Sequence, residues 1–549
     1  MPQKLKELLD NPWFKGFLAL LMVALIAGHL SRCAGTKSIK SIPTGNSAAA
    51  RWGKLLLVID QIDKNYTDTI NYRDIMESAI PSLLQSLDPH SIYLPPRDLE
   101  EADQNLKGNF SGIGIGFNVP NDTAIVINVI PGGPSSKAGL LSGDRIVEVE
   151  GKVVAGVNMP QDSLIARLRG PKDTKVKVGI KRAGVQEVLD FEITRGVVPI
   201  KSLEAALMLT DTLGYIRLSN FSRFTYKEFM AGIAKLGKLG MKSLVLDLRD
   251  NPGGYMDQAY EIANEFLQKN QMVVYMEGRK RPREEFRATG KGILGKLKLY
   301  VLINENSASS SEIVAGAMQD NDRGIIVGRR SFGKGLVQEP IYFSDSSGIR
   351  LTVARFYTPS GRCIQKPYSA DYRYDILERY QHGEMSSKDS IRINDSLLYR
   401  TANGRKVYGG GGIIPDIFVP VDTVGVTELL VQANRKSLQM KFSSYYADRN
   451  REKLWEIKTL EELDELYRQD DIKNQFLLFA ASNGVRPKNG EWEKSGYILL
   501  QQIKGLVGRY SQLDADAYYP YILRLDNAVN KIKEIDSLNT GTSIINNIE

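Results

Sequence analysis

The stretch from Leu297 to Gln338 constrains this chain more than any other. An apolar strand signal, Leu297 to Asn304 (LKLYVLIN), delivers a serine cluster, Ser307, Ser309, Ser310 and Ser311, onto a small-residue helix signal, EIVAGAM. A second strand signal, Arg323 to Gly328 (RGIIVG), then leads to a glycine-flanked lysine, Phe332-Gly333-Lys334-Gly335. A serine at a strand-to-helix junction lies beside unpaired backbone N–H groups and the positive end of the helix dipole, where an alkoxide can form and an oxyanion be held. A lysine between glycines suits a buried, close approach, and burial that lowers its pKa far enough lets the neutral amine deprotonate a serine. Histidine offers little competition as a base. His29 lies in an apolar amino-terminal run, His90 in a helix stop and turn, and His382 in a polar loop, and these are all the histidines of the chain.

The pattern S-A-S-x-S-E, followed by Gln319-Asp320 and then F-G-K-G-x-V-Q, resembles the carboxy-terminal processing peptidases, also called tail-specific proteases. The resemblance spans roughly residues 50–420. It implies Ser309 as nucleophile, Lys334 as general base and Gln338 as the residue that orients the lysine, with Glu312 and Asp320 in supporting positions. The residue after the nucleophile is Ser310, where the family usually has alanine; its backbone N–H would still serve an oxyanion hole. The element Asp247 to Gly254 (DLRDNPGG) matches the family's D-L-R-x-N-x-G-G and makes Gly253 or Gly254 the second oxyanion donor. Phe356 to Arg362 (FYTPSGR) and Gly409 to Pro415 (GGGGIIP) resemble two further family elements. The fold implied is a multidomain α/β protein: an amino-terminal helical segment, a PDZ domain, an α/β protease core with mixed, crotonase-like sheets, and a carboxy-terminal helical region.

At 549 residues, with 42% hydrophobic and 25% charged residues, the chain has ample core for several domains. Its net charge of +8 is spread along the sequence, and basic clusters such as Arg279 to Arg283 carry no interleaved aromatics, so they read as solvated faces rather than a nucleic-acid surface. Cys33 and Cys363 stand far apart in dissimilar contexts, giving neither a disulfide framework nor a zinc site. No metal or organic cofactor is expected. Two near-misses to a phosphate loop, Gly290 to Lys296 and Gly328 to Lys334, lack the following Ser/Thr.

In chain order, the apolar run Gly16 to Leu30 predicts a signal anchor or a signal peptide (1–35), and 36–49 a polar linker. Either reading exports the chain into the cell envelope, and the signal-anchor reading, the favoured one, holds it in the inner membrane with its catalytic domains on the periplasmic side. Residues 50–107 read as helical, and Leu87-Asp88-Pro89-His90-Ser91, a signature of the family ahead of its PDZ domain, is assigned no chemistry. Residues 108–197 change to short strands broken by glycine and resemble a PDZ domain. Gly112, Ile113, Gly114 and Ile115 would bind a peptide's terminal carboxylate, with Leu164 and Leu168 lining the pocket for its last side chain. Arg169 resembles an arginine that reports PDZ position to the active site in some family members. The peptidase core occupies 198–423, with a polar surface insertion at 371–401. A helical region, 424–549, would cap the protease, dock an adaptor or form a homodimer. The reading that results is an exported serine endopeptidase acting on proteins with free apolar carboxy termini. Its rivals are a PDZ scaffold on a dead protease fold and a trypsin-fold envelope protease; the complete Ser309, Lys334 and Gln338 set argues against the first, the missing G-N-S-G-G motif against the second.

Overall fold

The computed structural model describes residues 48–369 and 372–538. The apolar run Gly16 to Leu30 lies outside them. Among the described residues no helix is long and apolar enough to cross a membrane.

After two amino-terminal helices, Ala48–Asn65 and Tyr72–Gln85, the short strand Ile92–Leu94 leads into helix α1 (Pro96–Lys107). The chain then enters and leaves the PDZ domain through a two-stranded ribbon, Asn109–Gly112 against Gly196–Pro199. The run GIGIGF is therefore divided: Gly112 ends the ribbon, and β1 (Ile115–Asn118) starts the PDZ sheet. β1 is an edge strand, paired on one side only with Ala124–Val129. Helix α2 (Gln161–Leu168) completes the domain, and Ile113, Leu164 and Leu168 are buried in its core with Val126, Ile146 and Val176.

The peptidase core holds two sheets. The central one has six strands in the order Leu203–Met208, β2 (Leu213–Leu218), β3 (Ser243–Asp247), β4 (Lys298–Ile303), β5 (Ile325–Gly328) and Ile417–Phe418. Only the first pairing is antiparallel. Strands buried on both faces must be apolar on both, and β3 is buried at every residue. Leu244 and Leu246 face helix α3 (Ser310–Asp320) and its neighbours. Val245, Tyr300 and Leu302 face the other way, onto Val529 and Ile532 of the last helix. A second sheet is antiparallel and contains β6 (Leu336–Tyr342), β7 (Gly348–Tyr357), Ile92–Leu94 and the hairpin Met272–Gly278/Arg281–Arg287. The basic cluster after Gly278 is the turn and first residues of that hairpin, its Arg281 paired with Glu339 of β6.

The carboxy-terminal region is helical as expected and includes Leu460–Gln469 and Ile472–Ser482. Helix α4 (Leu438–Arg449) lies within it, and the amphipathic run from Tyr521 to Ile535 is not one helix: it breaks after Ile522 and restarts as α5 (Asn527–Leu538). Asp526 explains the restart: its carboxylate accepts the N–H groups of Ala528 (3.0 Å) and Val529 (3.1 Å), capping α5. The region caps the central sheet through α5 and also reaches the PDZ domain. Asp448 of α4 accepts Arg145, and Arg451 donates to the Ser142 carbonyl and pairs with buried Asp144 at 3.1 Å.

Candidate active site

The loops that follow β3, β4 and β5 meet at the carboxyl edge of the parallel strands, where such sheets place their sites. The serine cluster after β4 sorts itself by hydrogen bonding. Ser307 Oγ donates to the Leu248 carbonyl (2.8 Å), Ser310 Oγ to that of Gly254 (3.0 Å) and Ser311 Oγ to that of Asn251 (2.9 Å). These three hydroxyls lace the β4–α3 turn to the loop after β3. Ser309 is left facing a cleft of about 470 Å³ that Lys334, Gly254, Ser310, Gln338 and Arg350 also line. Its backbone is left-handed, φ 55° and ψ −113°, a strained conformation that the lacing around it maintains.

One carboxylate joins this turn to the lysine loop. Glu312, in the first turn of α3 and fully buried, accepts the N–H groups of Ser309 (2.9 Å) and Lys334 (2.8 Å) on one oxygen. Its other oxygen accepts the Gly333 N–H (2.7 Å) and the Ser331 hydroxyl (2.5 Å). Burial pushes the carboxyl up, and the four donors oppose that rise. Burial also lowers the Lys334 ammonium below the ordinary lysine range; the Arg350 guanidinium adds to this, while Glu312 and Asp88 pull the other way.

The loop after β3 carries the second set of donors. Asp247 accepts from the Tyr215 hydroxyl (2.6 Å), Arg217 (3.2 Å) and Arg249 (2.6 Å). Burial alone would raise its carboxyl, but Arg249 and Arg217 hold it down to about 2. Arg249 also pairs with Asp526 at 2.6 Å. Beyond it, Gly253 and Gly254 have φ of 99° and 148°. A Cβ on Gly253 would lie 2.8 Å from Ser309 Cβ, and one on Gly254 would lie 2.1 Å from the Phe221 carbonyl oxygen, so both positions require glycine. The two are not equivalent as donors: the Gly253 N–H is bonded to Asn251 Oδ1 at 2.9 Å. The N–H groups of Gly254 and Ser310 have no hydrogen-bond partner among the described residues.

Other expected residues fall into two groups. Asp320 sits at the far end of α3, where buried Arg362 pairs with it at 2.7 Å and Ser360 Oγ donates to it at 2.7 Å; it anchors the TPSGR element and is remote from the cleft. Gln338 is at the cleft wall, but its amide donates to the His90 carbonyl (2.6 Å), which makes it a tie to the amino-terminal region. That tie corrects the reading of Leu87 to Ser91 as a mere helix stop. Asp88 accepts the N–H groups of His90 (2.8 Å) and Ser91 (2.7 Å), and Ser91 Oγ in turn accepts the Thr352 N–H of β7 (3.1 Å). Burial and the nearby Lys334 lower His90 to about 4, and its ring bonds the Tyr372 hydroxyl at 2.5 Å.

Tyr372 belongs to the segment expected as a surface insertion, which instead buttresses the lysine loop. Arg379, buried, donates to the carbonyls of Arg330 (2.7 Å) and Ser331 (3.1 Å), and Glu384 pairs with both Arg330 and Arg379. Sequence gave no sign of Arg350, Tyr372 or Arg379. Their partners are distant in the chain, so no local pattern carries them.

In the PDZ domain, the N–H groups of Ile113 and Gly114 have no hydrogen-bond partner among the described residues, and the free side of β1 adjoins the buried face of α2 bearing Leu164 and Leu168. Arg169, just after α2, lies 4.7 Å over the Phe110 ring and 3.6 Å from Glu101 of α1. The last turn of α1 contributes Asp103, Leu106 and Lys107 to the cleft wall.

Residues 212–374 match the Peptidase family S41, residues 111–193 a PDZ domain, and residues 429–511 a family of unknown function. The chain is 34% identical over 353 residues to the carboxy-terminal-processing protease of Bartonella bacilliformis, covering 63% of this chain and 80% of that one. It is 32% identical over 354 residues to the carboxy-terminal processing protease CtpA of Bacillus subtilis, covering 64% and 75%. Among solved structures it is similar to a photosystem II D1 C-terminal processing protease, with 25% identity, a TM-score of 0.37, and 74% and 93% of the two chains covered.

Proposed function

The chain belongs to the carboxy-terminal processing serine proteases of peptidase family S41, and from that premise we propose that Ser309 and Lys334 form its catalytic dyad. The observation that carries this is the Glu312 junction: one buried carboxylate fixes the backbone of both residues at the wall of a single cleft. Neutral Lys334 takes the Ser309 proton and the alkoxide attacks a peptide carbonyl. The oxyanion is held by the N–H groups of Ser310 and Gly254, the two left unbonded beside Ser309. Lys334 then protonates the leaving amine, and water releases the acyl group. Lys334→Ala and Ser309→Ala each abolish peptide cleavage with the fold retained, and Lys334→Arg does not restore it, because a guanidinium does not deprotonate. Appreciable turnover in Lys334→Ala would sink the dyad.

Substrates are proteins with a free apolar carboxy terminus. The open edge of β1 accepts the tail as an added strand, the N–H groups at Ile113 and Gly114 take its carboxylate, and Leu164 and Leu168 supply an apolar floor. Occupancy reaches the cleft through Arg169, Phe110, Glu101 and α1. Free-acid peptides therefore turn over faster than their amides, and Arg169→Ala loses kcat more than affinity. Equal kinetics for acid and amide would remove the coupling while leaving the dyad standing. The run Gly16 to Leu30 supports export; a reporter fused after residue 49 that stays inactive outside the cytoplasm would overturn it.

A further inference from the structure

Among the described residues five buried side-chain atoms lack a hydrogen-bond partner, and one of them, Arg350 Nη2, belongs to a residue that lines the cleft. Arg350 lies on β7, opposite Ile92 on one neighbouring strand and Pro340 of β6 on the other. Several other cations of the loops around the site are matched, although Lys334 of the same cleft has no ion pair among the described residues. Lys107 pairs with Asp103, Arg329 with Glu305, Arg330 with Glu384 and Lys366 with Asp375. Asp103, the acidic residue of the cleft wall, is engaged by Lys107 and by the Tyr342 hydroxyl (3.2 Å). The Arg350 side chain has no ion-pair or hydrogen-bond partner among the described residues.

A guanidinium cannot escape burial by losing its proton, so an unmatched one remains a charged donor in need of an acceptor. Its planar fork matches a carboxylate bidentately, and a carboxylate is the anion that peptide side chains supply. We propose that Arg350 is a specificity residue that takes a carboxylate side chain, Asp or Glu, of the peptide segment lodged in the cleft. The proposal rests on the reading of this cleft as the peptide-cleaving site. The competing role is a fixed charge that acts only on Lys334; in that case every peptide feels Arg350 alike, whatever its own charge.

The experiment scans Glu, Gln and Lys through each position flanking the scissile bond of one peptide and measures kcat and KM on the full chain. At one position Glu exceeds Gln in kcat/KM by about tenfold, chiefly through KM, as a charge-assisted hydrogen bond implies. In Arg350→Gln that ratio falls to about one, in Arg350→Lys part of it survives, and in Arg350→Glu the preference moves to Lys. No charge preference at any position in wild type, or a Glu/Gln ratio that survives Arg350→Gln, overturns the proposal. Binding of the same peptides to Ser309→Ala, read by fluorescence polarisation, separates the two readings. Tighter Glu binding that Arg350→Gln removes supports the subsite even if the dyad assignment fails, and equal binding of Glu and Gln peptides refutes it even if cleavage proceeds.

Discussion

Replacing Glu312 by glutamine tests whether one carboxylate aligns the hydroxyl and the amine. The residue accepts four hydrogen bonds, two on each oxygen. An amide keeps one oxygen, and the favoured orientation places its nitrogen toward Ser331, whose hydroxyl can turn to accept. The oxygen then still serves the N–H groups of Ser309 and Lys334, while the Gly333 N–H and the turned Ser331 hydroxyl proton lose their acceptor. An orphaned buried donor costs about 1–3 kcal/mol, and the remaining bonds lose their charge assistance, partly offset by relief of the buried charge. We therefore expect a stability loss of about 2 kcal/mol in urea unfolding of the core. Glu312→Ala orphans all four donors and costs more than about 4 kcal/mol. The kinetic effect has a definite sign. Glu312 raises the Lys334 pKa, and activity requires the neutral amine, so activity rises as pH climbs through that pKa. Removing the negative charge lowers it, and the acid limb of the kcat profile moves to lower pH. An acid limb that moves upward, or a Glu312→Gln protein as stable as wild type, would refute the junction.

Other outcomes follow from single contacts. Gly254→Ala drives a Cβ to within 2.1 Å of the Phe221 carbonyl oxygen and should abolish turnover, with peptide binding to the PDZ domain, measured by calorimetry, retained. Asp526→Asn keeps an oxygen to cap α5 but removes the charge facing Arg249, so kcat should fall several-fold with KM steady and helicity by circular dichroism unchanged. Arg145→Asp and Asp448→Arg should each loosen the PDZ domain from the helical region, by about 1 kcal/mol or less, and the double reversal should restore protection from limited proteolysis.

The parts of the site that were legible are those whose chemistry is local. Ser309, Glu312 and Lys334 sit on one strand–turn–helix–strand–loop run, so residue order and the family resemblance were enough to single them out. The choice between Gly253 and Gly254 was not legible, because it turns on whether the Asn251 side chain folds back onto the Gly253 N–H. Gln338 was identified, but its tie to His90 crosses 248 residues of sequence and no pattern announces it. The insertion after Pro367 misled for a different reason. Its composition is that of a solvated loop, yet Arg379 is buried because the backbone carbonyls of the lysine loop provide acceptors for a charged donor. Composition reports the average environment of a segment, and a buttress needs only one or two of its side chains. The break before α5 was hidden likewise, since Asp526 reads as one more polar position in an amphipathic run.

The PDZ domain meets the helical region through arginine–carboxylate pairs, Arg145 with Asp448 and Arg451 with Asp144, backed by the Asn128 amide on Asp514 at 3.1 Å. A seam of that composition responds to ionic strength more than an apolar one, because mobile ions weaken its partly exposed pair, Arg145 with Asp448, while the pair on buried Asp144 is screened much less. Concentrated salt should therefore loosen the peptide-reading module from its helical cradle in part, leaving the buried Asp144 pair in place. Rates measured at different ionic strengths should then differ through this tether as well as through the cleft. The surrounding electrolyte becomes a variable of the mechanism, on the same footing as substrate concentration.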